Sequence, residues 1–167
     1  MAHTSETKTN AVRIVEKNRI PFTVQSYEHD DGHIDGVSVA AKLGQDPATV
    51  YKTLVTRGAS KTIYVFVIPV AKGLHLKKAA KQEGEKSIEM IHVSEINKLT
   101  GYIRGGCSPI GMKKLYTTTI DQSAEALEHI FVSAGKIGLQ LCISPQDLAM
   151  LVKARFAPVT QEENDPA

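Results

Sequence analysis

Cysteine is scarce in this chain. Cys107 and Cys142 are the only two, and without a spaced framework they are read as reduced thiols in a cytoplasm. No apolar run approaches the roughly 20 residues that a membrane helix needs. The opening residues, Met1-Ala-His-Thr-Ser-Glu-Thr-Lys, have no apolar segment of the kind a secretion signal carries. Nucleotide P-loop, dinucleotide fingerprint, zinc ribbon and serine triad are all missing, as are internal repeats and long linkers. The expectation is a cytoplasmic protein with no membrane association, no cofactor and no metal.

What remains is ordinary globular material, 42% hydrophobic and 23% charged, long enough at 167 residues for one domain with a real core. The net charge of +2 is unevenly placed. Taking Glu162, Glu163 and Asp165 from the 18 acidic residues leaves 15 against 20 basic ones, so the body carries +5. That charge suits a polyanionic partner. Residues 1–160 are therefore read as one domain and 161–167 as an acidic, disordered tail.

Short elements follow one another along the domain. Thr9 is placed to cap a helix burying Ala11, Ile14 and Val15, and Phe22–Ser26 alternates as a strand. Ser38 opens a helix stopped by Gly44, and Asp46-Pro47 starts a further turn or two through Tyr51. Thr53–Arg57 and Thr62–Pro69 read as paired strands, and Lys77–Glu83 as a helix ended by Gly84. Ile88–Ile91 and Leu115–Ile120 look extended, Ser94 caps a helix, and Ser123–Glu128 is a helical turn. Ile130–Ser133 and Leu139–Ile143 form a hairpin, and Ser144 caps a last helix. Strands this short, with helices inserted singly, predict an α/β domain: a mixed, largely antiparallel, barrel-like curved sheet with peripheral helices.

The chemistry concentrates in Gly101-Tyr-Ile-Arg-Gly-Gly-Cys-Ser-Pro-Ile-Gly-Met-Lys-Lys114. Such a loop is either a tight turn or a cradle whose backbone N–H groups approach a ligand, with Arg104, Lys113 and Lys114 holding negative charge. Lys52, on the face of Leu54, either snorkels to water or points into a site as a cation. His29 and His33 would share a metal only on a helix; Gly32 makes the segment a solvated loop. Cys107 is a nucleophile if a base stands near it, otherwise a packing residue. Ser133 is a hairpin hydroxyl or a ligand contact. Lys72, Lys77, Lys78 and Lys81 form a solvated face or a track for an RNA backbone.

Several motifs in order carry a family resemblance: Ser26-Tyr-Glu-His-Asp30, Lys52-Thr-Leu54, Leu76-Lys-Lys-Ala-Ala-Lys81, Gly105-Gly-Cys-Ser-Pro-Ile-Gly111, Val132-Ser-Ala-Gly-Lys136 and Ser144-Pro-Gln-Asp-Leu148. From about Thr9 to Thr160 the chain resembles the YbaK family of free-standing aminoacyl-tRNA deacylases. These are related to the editing domain of bacterial prolyl-tRNA synthetase, and the motifs fit the Cys-tRNA(Pro) branch. The resemblance implies hydrolysis of cysteine misattached to proline tRNA, and of Cys-tRNA(Cys). The implied partners are the aminoacyl-tRNA acceptor end and prolyl-tRNA synthetase, in a ternary complex, with no DNA. It implies Lys52 and Gly105 as catalytic residues, and Tyr27, Thr53, Gly106, Ser108, Pro109 and Ser133 as substrate-binding. Lys77, Lys78, Lys81, Lys113, Lys114 and Lys136 would meet the tRNA. The alternatives are a deacylase for another small amino acid such as alanine, and a non-catalytic tRNA-binding module.

Overall fold

The computed structural model describes residues 8–163 and 165. In chain order the elements are α1 (Asn10–Lys17), β1 (Phe22–Ser26), α2 (Gly36–Leu43), β2 (Tyr51–Gly58), β3 (Ile63–Pro69), α3 (Leu76–Glu83), β4 (Ile88–Met90), α4 (Val93–Thr100), β5 (Thr117–Asp121), β6 (Ile130–Lys136), β7 (Leu139–Ile143), α5 (Pro145–Val152) and β8 (Arg155–Ala157). Short 3-10 turns occupy Pro47–Thr49 and Gln122–Ala126.

The strands form two sheets, one ordered β1-β7-β6 and the other β4-β2-β3-β5-β8. The first is antiparallel throughout. The second is antiparallel over β4-β2-β3 and parallel over β3-β5-β8. A single parallel bridge, Val50 to Phe131, links them. The fold is mixed α/β as expected, but among the described residues the strands do not close into a barrel. The main core lies between the inner face of β6-β7 and helices α1 and α5, with Val12, Val15, Ile130, Leu141, Ile143 and Leu148 fully buried.

The local signals explain most boundaries. The Thr9 hydroxyl accepts the Val12 N–H at 3.2 Å, capping α1, and Ser144 caps α5. Two starts differ from expectation. Asp35, not Ser38, caps α2, its carboxylate accepting the Ser38 N–H and hydroxyl at 3.1 and 2.7 Å. His92, not Ser94, precedes α4, because the Glu95 carboxylate reaches back to the His92 N–H and is itself held by Arg57 at 2.7 Å. Asp46 supports only the 3-10 turn, so β2 already begins at Tyr51. Strand β8 carried no sequence signal: three residues on a parallel edge are too short for alternation to show.

The described part of the acidic tail lies against the body. The Gln161 N–H donates to the Gly73 carbonyl at 2.8 Å, and Glu162 and Asp165 pair with Lys72 and Lys78 at 3.3 and 2.7 Å. Asn164, Pro166 and Ala167 fall outside the described residues.

Candidate active site

Three strands put a row of polar side chains on one sheet face. Gln25 on β1, Gln140 on β7 and Ser133 on β6 are in register, Gln25 opposite Gln140 and Gln140 opposite Ser133. Tyr27, two residues beyond Gln25, continues that face, and its N–H donates to the Gly138 carbonyl at 2.9 Å. The start of β2 runs past this row. Helix α2 closes the remaining side, because Gly36 rests on Val70 so tightly that a Cβ would lie 2.5 Å from its side chain.

A cavity of about 360 Å³ results, within the usual range for small-ligand sites. Tyr27, Lys52, Thr53, Gly105 and Ser133 all line it, together with Asp35, Arg104, Cys107 and Gln140. Residues of the sequence far apart in the chain, and expected to act together, thus share one chamber.

The glycine loop reaches the cavity through a turn. The Gly106 N–H donates to the Ile103 carbonyl at 3.0 Å, and Gly105 has φ +87°, the geometry of the third residue in a type II turn. The Gly105 N–H has no acceptor among the described residues, and Gly105 lines the cavity. Gly106 is positioned differently: a Cβ there would meet the backbone nitrogen of Ile137 at 2.9 Å, so its role is close packing on the β6-β7 turn. Ser108 is buried and its hydroxyl accepts the Ile110 N–H at 3.2 Å. Pro109 lines a separate groove with Ile14, Met112 and Leu151. Gly106, Ser108 and Pro109 therefore shape the loop and do not line the chamber.

Lys52 makes no ion pair among the described residues, and burial holds its pKa below that of an ordinary lysine. The Thr53 Oγ1 and the Gln140 Oε1 are buried without a hydrogen-bond partner. A desolvated cation at the cavity and two unsatisfied oxygens buried in its walls are the kind of cost that functional sites carry. Burial pushes the Cys107 thiol up to about 11, which argues for a neutral packing residue and against a thiolate nucleophile. The Ser133 hydroxyl accepts the Gly135 N–H at 3.1 Å in the bulged end of β6.

The basic residues separate into groups. Lys77, Lys81 and Lys136 are exposed, whereas Lys78 is committed to Asp165 and the Thr160 carbonyl. Lys113 donates to the Lys98 carbonyl at 3.2 Å, and Lys114 sits on the Pro109 groove. His29 leans on Tyr27 with ring centroids 6.4 Å apart. No cluster of three or more metal-ligating side chains exists among the described residues.

Sequence reasoning missed Gln140 and Asp35. In Leu139-Gln-Leu-Cys-Ile143 the glutamine looks like a solvent-facing alternate, because alternation cannot tell which polar face is roofed by a helix. Lys42 was missed too. Its ammonium gathers the Glu28 and His33 carbonyls and the Asp31 carboxylate at 2.7, 2.9 and 2.7 Å, tying down the loop that carries Ile34 and Asp35.

Comparison with known proteins agrees with this geometry. A family model described as the aminoacyl-tRNA editing domain matches residues 35–151. EbsC of Enterococcus faecalis, which bears the name of a Cys-tRNA(Pro)/Cys-tRNA(Cys) deacylase, is 42% identical over 159 residues, covering 95% of this chain and 97% of that protein. Among solved structures, the hypothetical protein APE2540 superposes with TM-score 0.84 at 20% identity, over 92% of this chain and all of that one. A protein described as a trans-editing enzyme for prolyl tRNA synthetase superposes with TM-score 0.78 at 19% identity, over 93% and 99%. With a matched span, residues 35–151, that takes in most of the chain and includes Lys52, Gly105, Ser133 and Gln140 of the cavity, the chain belongs to the aminoacyl-tRNA editing domain family.

Proposed function

We propose that this protein is a trans-editing deacylase that removes cysteine from Cys-tRNA(Pro) and Cys-tRNA(Cys), with the nucleophile supplied by the substrate. The observation that carries the reading is the content of the cavity: one unpaired lysine and one free backbone donor, with no activated protein nucleophile. Family membership and the name borne by EbsC support the substrate class.

In this reading the cysteinyl thiol attacks its own ester carbonyl. A C–S bond forms, the ester C–O bond breaks, and the thiol proton passes to the departing ribose oxygen. The product is a cyclic thiolactone that water then opens. Intramolecular attack can reach effective molarities on the order of 10⁵ M or more when the groups are well oriented, so folding the substrate is the larger part of catalysis. The Gly105 N–H donates to the developing oxyanion, a contact of a kind worth about 3 kcal/mol of barrier. Lys52 adds positive charge beside the ester, stronger for being half-buried. Thr53, Gln140, Tyr27 and Ser133 form the polar wall against which the cysteinyl group folds.

The acceptor end would approach over the exposed lysines, Lys77, Lys81 and Lys136, with Lys113 and Lys114 near the glycine loop. The working partner is prolyl-tRNA synthetase, in a ternary complex with the tRNA, and the working place is the cytoplasm. No helix among the described residues is long and apolar enough to cross a membrane.

A panel of tRNAs charged with cysteine, serine and alanine tests the proposal, with mass spectrometry of the released product. Fast loss of cysteine as thiolactone is expected. An intact cysteinyl ester would reduce the protein to a binding module. Equal rates for seryl and cysteinyl esters would remove the substrate thiol from the mechanism, and faster loss of alanine would reassign the specificity.

A further inference from the structure

We infer that the Ile103–Gly106 turn also carries a phosphodiester-binding site, in which Arg104 takes the phosphate joining the last two nucleotides of the acceptor end. This rests on the deacylase reading for its substrate, but not for its charge argument.

The charges around the cavity are few. Lys52, Asp35 and Arg104 are the charged residues that line it. Asp35 is already engaged by the Ser38 N–H and hydroxyl as the cap of α2. Arg104 is exposed and makes no ion pair or hydrogen bond among the described residues. Arg57 and Arg155 are committed to Glu95 and Glu83, each at 2.7 Å, while Arg13 and Arg19, also without a side-chain partner among the described residues, do not line the cavity. An unpaired guanidinium at the rim of a concave chamber attracts an anion to that rim.

The turn fixes where that anion must be. Arg104 and Gly105 are its two central residues, so the guanidinium stem and the free Gly105 N–H leave adjacent Cα positions of one rigid unit. An aminoacyl ester sits on the 2′ or 3′ oxygen of the terminal ribose, and the phosphate sits on the 5′ oxygen of that same ribose. A carbonyl docked on Gly105 therefore brings the phosphate one ribose outward, toward the exposed rim where Arg104 stands. The planar five-donor fork of arginine matches two phosphate oxygens at once. Arg104 is then a specificity-determining residue: it makes the enzyme prefer an ester carried on RNA over an ester on a nucleoside or free cysteine.

The test compares Arg104→Ala and Arg104→Lys with the unaltered protein on two substrates, Cys-tRNA and 3′-cysteinyl-adenosine, which lacks the phosphate. Binding of uncharged tRNA is followed by fluorescence anisotropy across a salt series. In Arg104→Ala the ratio of kcat/KM for Cys-tRNA to that for the nucleoside ester should fall roughly ten-fold, the usual worth of a charged hydrogen bond. The slope of log binding constant against log salt should shrink by about 0.7, one single-strand phosphate contact. Arg104→Lys should recover the slope but only part of the ratio. An unchanged ratio and slope would overturn the phosphate site, as would equal losses on both substrates. If the unaltered protein leaves Cys-tRNA intact while the Arg104→Ala slope still shrinks, the deacylase reading falls and the phosphate site stands.

Discussion

Gly105 and Gly106 separate chemistry from packing, and replacing each by alanine measures the two apart. At Gly105 an alanine must hold φ near +87°, which costs an L-residue about 1–2 kcal/mol. Its methyl would stand 3.0 Å from the Ile34 Cδ1, a flexible side-chain end that can give way. The expected stability loss is therefore about 1–2 kcal/mol, or ~3–6 °C in Tm for a chain of this size. Relief is available by flipping the turn from type II to type I, which rotates the Arg104–Gly105 peptide and turns its N–H from the cavity. Catalysis should then lose one oxyanion donor, about 10² in kcat. At Gly106 the methyl would press on backbone, 2.9 Å from the Ile137 nitrogen and 3.1 Å from the Lys136 carbonyl carbon. Overpacking against groups that cannot rotate away costs about 1–3 kcal/mol without a reason to invert the Gly105 peptide. Urea melts and discharge of Cys-tRNA(Pro), run well below both melting points, give the comparison. If kcat falls in both variants in proportion to stability, the loop is only a tight turn and the oxyanion assignment is refuted.

Lys52→Met should lower deacylation about 100-fold or more while raising Tm, because burial opposes the ammonium it removes. The folded pKa lies below the ordinary lysine value near 10.4, so between the two the unfolded chain binds more protons. Stability of the unaltered protein should thus rise with pH through that window and the variant should lack the rise; a lower Tm for Lys52→Met, seen in thermal melts across pH, contradicts this. Cys107→Ser should retain cysteinyl-tRNA turnover within about two-fold, because a thiol held near 11 leaves about one thiolate in a thousand at pH 8. A folded but inactive Cys107→Ser protein would point to covalent catalysis by the enzyme.

Caps, turns and strand alternation were readable because each is settled within a few residues. Thr9, Gly44, Gly84 and Ser144 begin or end helices where the sequence puts them. The errors have a common cause in longer-range partners. Glu95 begins α4 early partly because Arg57, from another strand, fixes its carboxylate. The mixed, largely antiparallel sheet was expected as a class, but which pairs run parallel, β3-β5 and β5-β8, was not legible, since strand direction leaves no trace in a strand's own residues. At the site, Lys52 and the Gly105 loop stood out by composition. Gln140 did not, because its meaning depends on α2 lying over the sheet, and Lys42 did not, because its three partners are all in a loop with no periodicity.

The cost of the cavity argues that it is a site and not a packing fault. Elsewhere the buried polar groups are satisfied: Asp121, 4% exposed, accepts from Ser123 and from the Val159 N–H, and the Thr56 hydroxyl donates to the Tyr64 carbonyl. The unpartnered buried side-chain atoms among the described residues are those of Gln25, Thr53 and Gln140. Thr53 and Gln140 line the chamber, and Gln25 stands opposite Gln140 in the same row. Each such atom costs about 1–3 kcal/mol, and the desolvated Lys52 ammonium adds to the same side. A fold that satisfies polar groups so consistently would not concentrate its exceptions by chance on three strands from distant parts of the chain. An anionic or polar guest held by the desolvated Lys52 ammonium offsets part of this cost, and that binding energy is available for a folded, reactive conformation of the guest.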